Sequence, residues 1–381
     1  MKNFYLYVDN QNDQKLTRNS KRFDTPYQLE SNYSYYLLKK ECKKKKINFD
    51  FLLDNNIKKN DYVIFGNVYP FLRNNFLDSL INIKKKISIK FHPNKKSYFE
   101  NFLNQKRFRY TDYFFPYLWE SKGIIPQNWD INIHHNFDKI LTWDASICDY
   151  KKYFLLNLQT GPIYFDKKLK INLKPWDKRS FFISSINNNK INFNNSNLYL
   201  YRINLFSWFA NNHPNLFNLY GGGWLKAPEY IGDNKYSIKN SNNFLKFLLN
   251  YNKDQFKNVY KGTLKSKKNV LSNSKFNFCL ENNSDSNFYI TEKLFASLFN
   301  GAVPIYYGAK NIDDILPQNA FINLRDYENN FDDLYQYLVS YTSKDYKKFI
   351  ESVNDFLNYS NYVRSCCPEG IAEQIERLVY D

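Results

Sequence analysis

Two periods of apolar residues alternate along this chain. Short apolar runs closed by turn residues alternate with longer stretches in which apolar side chains recur every three or four positions. In the first half, Phe4 to Val8, Tyr62 to Phe65 before Gly66, Ile87 to Phe91 before Pro93, and Ile140 to Trp143 read as strands. Tyr117 to Trp119 is a short aromatic run ahead of Glu120 and a Ser-Lys-Gly turn, and Tyr27 to Lys45 reads as a helix. A polar stretch containing Pro175 interrupts the pattern, and Ser180 to Ile186 resumes it as a strongly apolar strand. The spacing of Tyr201, Leu205, Trp208 and Phe209 then predicts a helix over Leu198 to Ala210.

The last third repeats strand and helix most regularly. Phe276 to Leu280 predicts a strand, followed by the polar loop Glu281 to Asn287. Thr291 is placed to cap a helix over Glu292 to Asn300, with Leu294, Phe295, Leu298 and Phe299 inward and Gly301 at the C′ position. Val303 to Tyr307 and Phe321 to Leu324 are the next strands, and Asp332 to Ser340 the next helix. Strand and helix at such short intervals imply α/β structure with parallel sheets covered on both faces. The chain has 381 residues, more than one ordinary core requires. The expectation is therefore two Rossmann-like domains, 1–174 and 175–381, whose sheets face a central cleft.

Composition changes this picture only in part. Aromatic residues make up 19% of the chain, and it is rich in Asn, Lys and Ile, which codon usage in an AT-rich genome explains. Lys and Arg number 54 against 37 Asp and Glu, a net charge of +17 that attracts polyanions: nucleic acid, an anionic membrane or a phosphorylated substrate. No recognition helix, zinc finger or RNP pattern supports nucleic acid. Five cysteines without a CxxC pair, and four histidines without metal-ligand spacing, suggest neither a disulfide framework nor a zinc site. The N-terminal segment lacks a signal peptide's apolar stretch, and no window approaches the roughly 18 apolar residues of a membrane span. The expectation is a cytoplasmic protein whose membrane contact, if any, is peripheral and with anionic lipid.

Ligands of open parallel sheets sit beyond the carboxyl ends of the strands. Two strand-to-helix connections there carry groups suited to a diphosphate. One leads into the helix bearing Arg202, near its positive dipole end. The other passes Glu281, Asn282, Asn283, Tyr289 and Thr291 and enters a helix whose first turn holds Glu292 and Lys293. Free backbone N–H groups and a lysine there can hold phosphate without a Walker loop, and no GxxxxGK[ST] or GxGxxG occurs. Gly221, Gly222 and Gly223 read as a turn, and the adjacent Asp313 and Asp314 as helix-capping residues rather than metal ligands.

The stretch from Ser274 to Glu328, SKFNFCLENNSDSNFYITEKLFASLFNGAVPIYYGAKNIDDILPQNAFINLRDYE, resembles the signature region of the alpha-1,3-fucosyltransferases, glycosyltransferase family 10. The helix of Arg202 and the LWESKGIIPQNW segment around Glu120 resemble bacterial members more loosely. The resemblance implies a GT-B fold, with an N-terminal acceptor domain and a C-terminal donor domain. It implies GDP-fucose as donor, inversion at the fucose anomeric carbon, no required metal and no cofactor. The implied acceptor is an oligosaccharide or lipid-linked glycan, joined in alpha-1,3 linkage to GlcNAc or Glc during surface glycan synthesis. Carried over, Arg202 and Lys293 hold the diphosphate, and Tyr289, Asn282, Thr291 and Glu292 lie at the ribose or fucose. Glu120 corresponds to the N-domain carboxylate that serves as base, with Asp112, Asp130 and Asp144 as substitutes on the same rim. This chain departs from the family at Asn283, where serine is usual, and at Ile290, where valine is usual. Another GT-B transferase with a different nucleotide sugar, and a basic nucleic-acid-binding protein, remain the alternative readings.

Overall fold

The computed structural model describes residues 1–7, 30–51, 60–66, 113–135, 137–157, 173–193, 197–231, 238–327 and 330–380. The chain divides into two compact units. Met1–Gln28, Tyr35–Leu156 and Pro368–Asp381 form one, and Leu29–Ser34 with Asn157–Cys367 form the other. The division at 156/157 precedes the expected 174/175, and the last helix joins the first unit rather than the second.

The first unit is built on a six-stranded parallel sheet: β1 (Lys2–Tyr7), β2 (Ile47–Phe51), β3 (Tyr62–Gly66), β4 (Tyr113–Tyr117), β5 (Ile140–Thr142) and β6 (Tyr153–Leu155), in the order β2-β1-β3-β4-β5-β6. Helix α1 (Glu30–Lys44) lies within the expected Tyr27 to Lys45. Phe4, Leu6, Ile47, Phe49, Val63, Ile64 and Leu141 are buried, as a parallel sheet covered on both faces requires. Residues 113–117 form a strand that ends where the aromatic run Tyr117 to Trp119 begins. The strand expected at Ile87 to Phe91 lies outside the described residues. The C-terminal helix, Pro368–Tyr380, is tied to this sheet. Lys2 Nζ and the Tyr62 hydroxyl both donate to the Val379 carbonyl, at 2.9 and 3.0 Å. Lys45 also pairs with Glu376.

The second unit holds a five-stranded parallel sheet in the order β13-β12-β11-β7-β9. Its strands are β7 (Phe181–Ile186), β9 (Phe217–Tyr220), β11 (Ser274–Leu280), β12 (Val303–Tyr307) and β13 (Ile322–Asn323). A separate two-stranded sheet pairs β8 (Lys190–Ile191) with β10 (Glu229–Tyr230). Helix α2 (Tyr199–Asn212) follows β8 in sequence and precedes β9; α3 (Lys268–Asn273) leads into β11; α4 (Glu292–Asn300) links β11 to β12. Leu205 and Phe209 of α2 are buried, as are Leu294, Phe295 and Leu298 of α4, while Phe299 is half-buried against the same core.

From β7 the chain moves outward to β9, and from β11 it moves the opposite way to β12 and β13. The strand order therefore reverses between β7 and β11. Beyond the carboxyl ends of these two strands lies the topological switch point, where open parallel sheets leave room for a ligand.

Candidate active site at the switch point

Thr291 caps α4 as its sequence position predicts. Its backbone is extended, and its hydroxyl accepts from Lys293 N at 3.4 Å. Gly301 closes the same helix at φ 68°, and a Cβ there would lie 2.5 Å from the Arg179 guanidinium. Glycine avoids both the left-handed penalty and the clash. The boundaries of α4 are therefore fixed by residues legible in the sequence.

The carboxylate at the centre of the site belongs to Glu281, the residue after β11, which is completely buried. Its Oε1 accepts from Thr291 N at 2.8 Å and its Oε2 from Thr291 Oγ1 at 2.7 Å. Lys293 Nζ donates to the same Oε2 at 3.1 Å and stands 3.3 Å from Thr291 Oγ1. A buried carboxylate needs such partners, because desolvation without them costs several kcal/mol. Burial pulls the Lys293 pKa down, but Glu281 and Glu292 outweigh it, so the pKa is raised and the ammonium stays charged. Gly308, at the end of β12, faces this carboxylate. A Cβ on Gly308 would lie 2.5 Å from Glu281 Cγ and closer still to the Tyr306 hydroxyl, so no side chain fits.

Arg202 approaches from the α2 side. It is buried, with Nη2 donating to the carbonyls of Leu280 and Glu281, both at 3.1 Å. Its Nε–H is buried without a hydrogen-bond partner. Asn282 joins the two connections, since its carbonyl accepts from Leu198 N at 3.1 Å, at the start of α2. Tyr289 is buried, and its carbonyl accepts from the Tyr306 hydroxyl at 3.4 Å. Glu292 pairs with Lys267 at 3.3 Å, ahead of α3. Burial pushes the Glu292 carboxyl up, but Lys293 and Lys267 outweigh it and hold the carboxyl at about 2.

Arg202, Asn282, Tyr289, Thr291, Glu292 and Lys293 thus all lie in the connections at the carboxyl ends of β7 and β11. Glu120 belongs to the first unit. It is half-buried in the bend after β4, and its carbonyl accepts from Trp129 Nε1 at 2.9 Å. Asp144 and Asp130 are occupied as caps, accepting from Ser146 N and Asn132 N respectively, and Asp112 is outside the described residues. Asp313 accepts from Asn323 Nδ2 at 3.3 Å and lies with Asp314 in the first turn of Ile312–Ile315. Among the described residues no group of three or more His, Cys, Asp or Glu could hold a metal. The glycine run is a turn in which Asn188 Oδ1 accepts from Gly222 N.

Residues 245–362, which include both Glu281 and Lys293, match the family description "Glycosyltransferase family 10 (fucosyltransferase) C-term". Over these residues the chain is similar to that family. The chain is 35% identical over 75 residues to an alpha-(1,3)-fucosyltransferase of Helicobacter pylori, a match covering 20% of this chain and 15% of that protein. It is 43% identical over 54 residues to an alpha-(1,4)-fucosyltransferase of Arabidopsis thaliana, covering 14% of this chain and 13% of the other. Each match spans less than a fifth of the curated relative. In fold, the chain is similar over its whole length to a crystal structure of an alpha1,3-fucosyltransferase, at a TM-score of 0.51 and 16% identity, covering 91% of that chain. It is also similar to a DNA-modifying beta-glucosyltransferase, at a TM-score of 0.50 and 11% identity, covering 99% of that chain. Two α/β units with parallel sheets make this a GT-B-type fold, and the segment that matches the family model includes β11, α4 and β12 of its second unit.

Sequence reasoning assigned Lys293 to a diphosphate and overlooked its pairing with Glu281. Arg325 was also missed. Its Nη2 donates to the carbonyls of Ser284, at 2.6 Å, and Gly308, at 2.8 Å, and no periodicity announces such a contact.

Proposed function

We propose that the protein is an inverting fucosyltransferase that transfers fucose from GDP-fucose to a hydroxyl of a glycan acceptor, in alpha-1,3 linkage to GlcNAc or Glc. The observation that carries this reading is the Glu281–Thr291–Lys293 cluster at the switch point, inside the segment that matches the family model and beside Arg202. A nucleoside diphosphate gains negative charge as it leaves. Lys293 and Arg202, at the positive end of the α4 dipole, offset that charge, so no metal or other cofactor is needed. Tyr289, Asn282 and Thr291 border the ribose and fucose, and Glu292 lies near the oxocarbenium-like centre. Inversion needs a carboxylate that takes the acceptor proton, a role we give to Glu120. One solved structure similar in fold, at a TM-score of 0.51, is of an alpha1,3-fucosyltransferase with GDP, in keeping with this donor.

We place the reaction on surface glycans, lipopolysaccharide or glycoprotein, at the cytoplasmic side of a membrane. Among the described residues no helix is long and apolar enough to cross a membrane. The net charge of +17 suits peripheral contact with anionic lipid.

The experiment is transfer from GDP-fucose to lactose, N-acetyllactosamine and lipid-linked glycans, with GDP-mannose and UDP-sugars as competing donors and the linkage read by NMR. Transfer that persists in EDTA is expected; loss restored by manganese overturns the metal-free reading. Glu120→Gln should lower transfer by on the order of 10²–10⁴-fold while GDP binding holds. A folded Glu120→Gln protein with normal turnover removes Glu120 as the base.

A further inference from the structure

The loop from Glu281 to Ile290 joins β11 to the cap of α4 and contains no helix or strand. It nevertheless holds a backbone conformation that loops rarely keep unaided. Phe288 lies at φ 57°, in the left-handed region, immediately before Tyr289. A bulky side chain stays there only when its surroundings over-determine it.

The constraints come from the segment that follows β12. Asn311 Oδ1 accepts from Phe288 N at 2.8 Å, Lys310 N donates to the Ser286 carbonyl at 3.1 Å, and Lys310 Nζ pairs with Asp285 at 3.0 Å. The Lys310–Asp285 pair is exposed and holds little in water. Arg325, just past β13, is different in kind. One nitrogen, Nη2, donates to both the Ser284 and the Gly308 carbonyls, and the guanidinium lies 4.7 Å from the centre of the Tyr307 ring. Arg325 forms no ion pair with a carboxylate among the described residues. Its charge is committed to two backbone oxygens, one on the loop and one on the glycine against Glu281. A permanently charged, planar guanidinium can give both N–H groups of one nitrogen to these carbonyls while it sits over the Tyr307 ring, and an ammonium cannot match both at once.

We infer that Arg325 is a positioning residue: it locks the Glu281–Ile290 loop onto the end of β12 before ligand arrives, so that binding need not order the loop. This rests on the reading that the loop borders the diphosphate of a nucleotide sugar. Arg325 need not touch the ligand to act this way. It keeps the carbonyls of Ser284 and Gly308 turned toward itself and away from an incoming anion, and it leaves Asn282 and Tyr289 on a fixed backbone. Pre-ordering raises affinity by removing the entropy cost of folding the loop at the moment of binding.

The test compares Arg325→Gln, Arg325→Lys and the parent protein by hydrogen exchange, by GDP titration and by steady-state transfer. With Arg325→Gln, peptides covering 282–290 should exchange faster while those covering β11 and β12 stay unchanged. GDP binding should weaken by about tenfold or more, as expected for the loss of hydrogen bonds from a charged donor. KM for the nucleotide sugar should rise, with kcat within about threefold. Arg325→Lys should fall between the two, because an ammonium can reach a carbonyl but cannot lie flat on Tyr307. Unchanged loop exchange overturns the proposal. So does exchange that accelerates equally through β11 and β12, which would make Arg325 a general brace of the fold. A parent protein that fails to bind GDP sinks the donor reading instead, and loop exchange still decides the role of Arg325.

Discussion

The second unit buries two arginines at opposite ends of one sheet, and they are finished to different degrees. Arg179 stands at the amino ends of β7, β11 and β12. Its Nε donates to the Lys174 carbonyl, Nη1 to those of Leu271 and Ser274, and Nη2 to that of Asn300. The guanidinium also lies over the Tyr346 ring, at 5.2 Å. Arg202, at the carboxyl ends, donates from Nη2 to two carbonyls and keeps a buried Nε–H without a partner. Buried donors in native proteins are nearly always satisfied. The complete arginine therefore serves the fold, and the spare donor of the incomplete one fits the proposal that Arg202 holds the diphosphate.

The comparison makes predictions of decreasing size. Arg179→Met removes four hydrogen bonds to backbone carbonyls, at about 0.5–1.5 kcal/mol each, so about 2–6 kcal/mol should be lost in urea unfolding. GDP affinity of the folded fraction should not change; a changed affinity would blur the division between the two edges. Lys293→Ala leaves Glu281 as a buried charge held by Thr291 alone, and should cost about 3 kcal/mol of stability together with GDP binding. Adding Glu281→Gln should recover much of the stability and none of the binding. If stability survives Lys293→Ala intact, the ion pair is not what keeps Glu281 buried. Arg202→Lys should weaken GDP binding by about tenfold, or about 1.4 kcal/mol, since the lysine lacks the fork. An unaltered GDP titration curve would place Arg202 with Arg179 as a purely structural residue.

The smallest effect concerns acid. The Glu292 carboxyl is held at about 2, below its ordinary 4.5. A depressed carboxylate stabilises the fold above its unfolded pKa, and that contribution fades as pH falls from about 4.5 toward 2. Glu292→Gln should therefore flatten the fall of the melting temperature across that window while leaving its slope above pH 5 unaltered. Identical acid profiles for the two proteins would show that Lys267 and Lys293 do not hold this carboxylate.

The sequence revealed what local patterning controls. The period of α4, its threonine cap and its terminal glycine are all local signals, and the predicted Glu292 to Asn300 is the helix observed. Strands β11 and β12 were legible because both are nearly continuous apolar runs. Strand β2 was missed although Asn48 and Asp50 alternate with Ile47, Phe49 and Phe51, because it starts directly after the lysine run 43–46 at the end of the predicted helix. In the site, residue types were readable and their partners were not. Glu281 meets Lys293 across twelve positions, and Arg325 meets Ser284 across 41. Such pairings are set by strand order, which no window of sequence contains.

The helix Pro368–Tyr380 has a consequence for synthesis. The Lys2 ammonium reaches the Val379 carbonyl, two groups 377 positions apart in the chain. On a ribosome, all of Asn157–Cys367 emerges before the segment that completes the first unit. The later unit in sequence can therefore finish folding first, while the earlier sheet still lacks the helix that Lys2 and Tyr62 hold. Closing so long a loop is slow, though its entropy cost grows only with the logarithm of its length. Until then the apolar strands around Phe4, Phe49 and Val63 are part of an unfinished core, the kind of surface that invites aggregation and that chaperones shield.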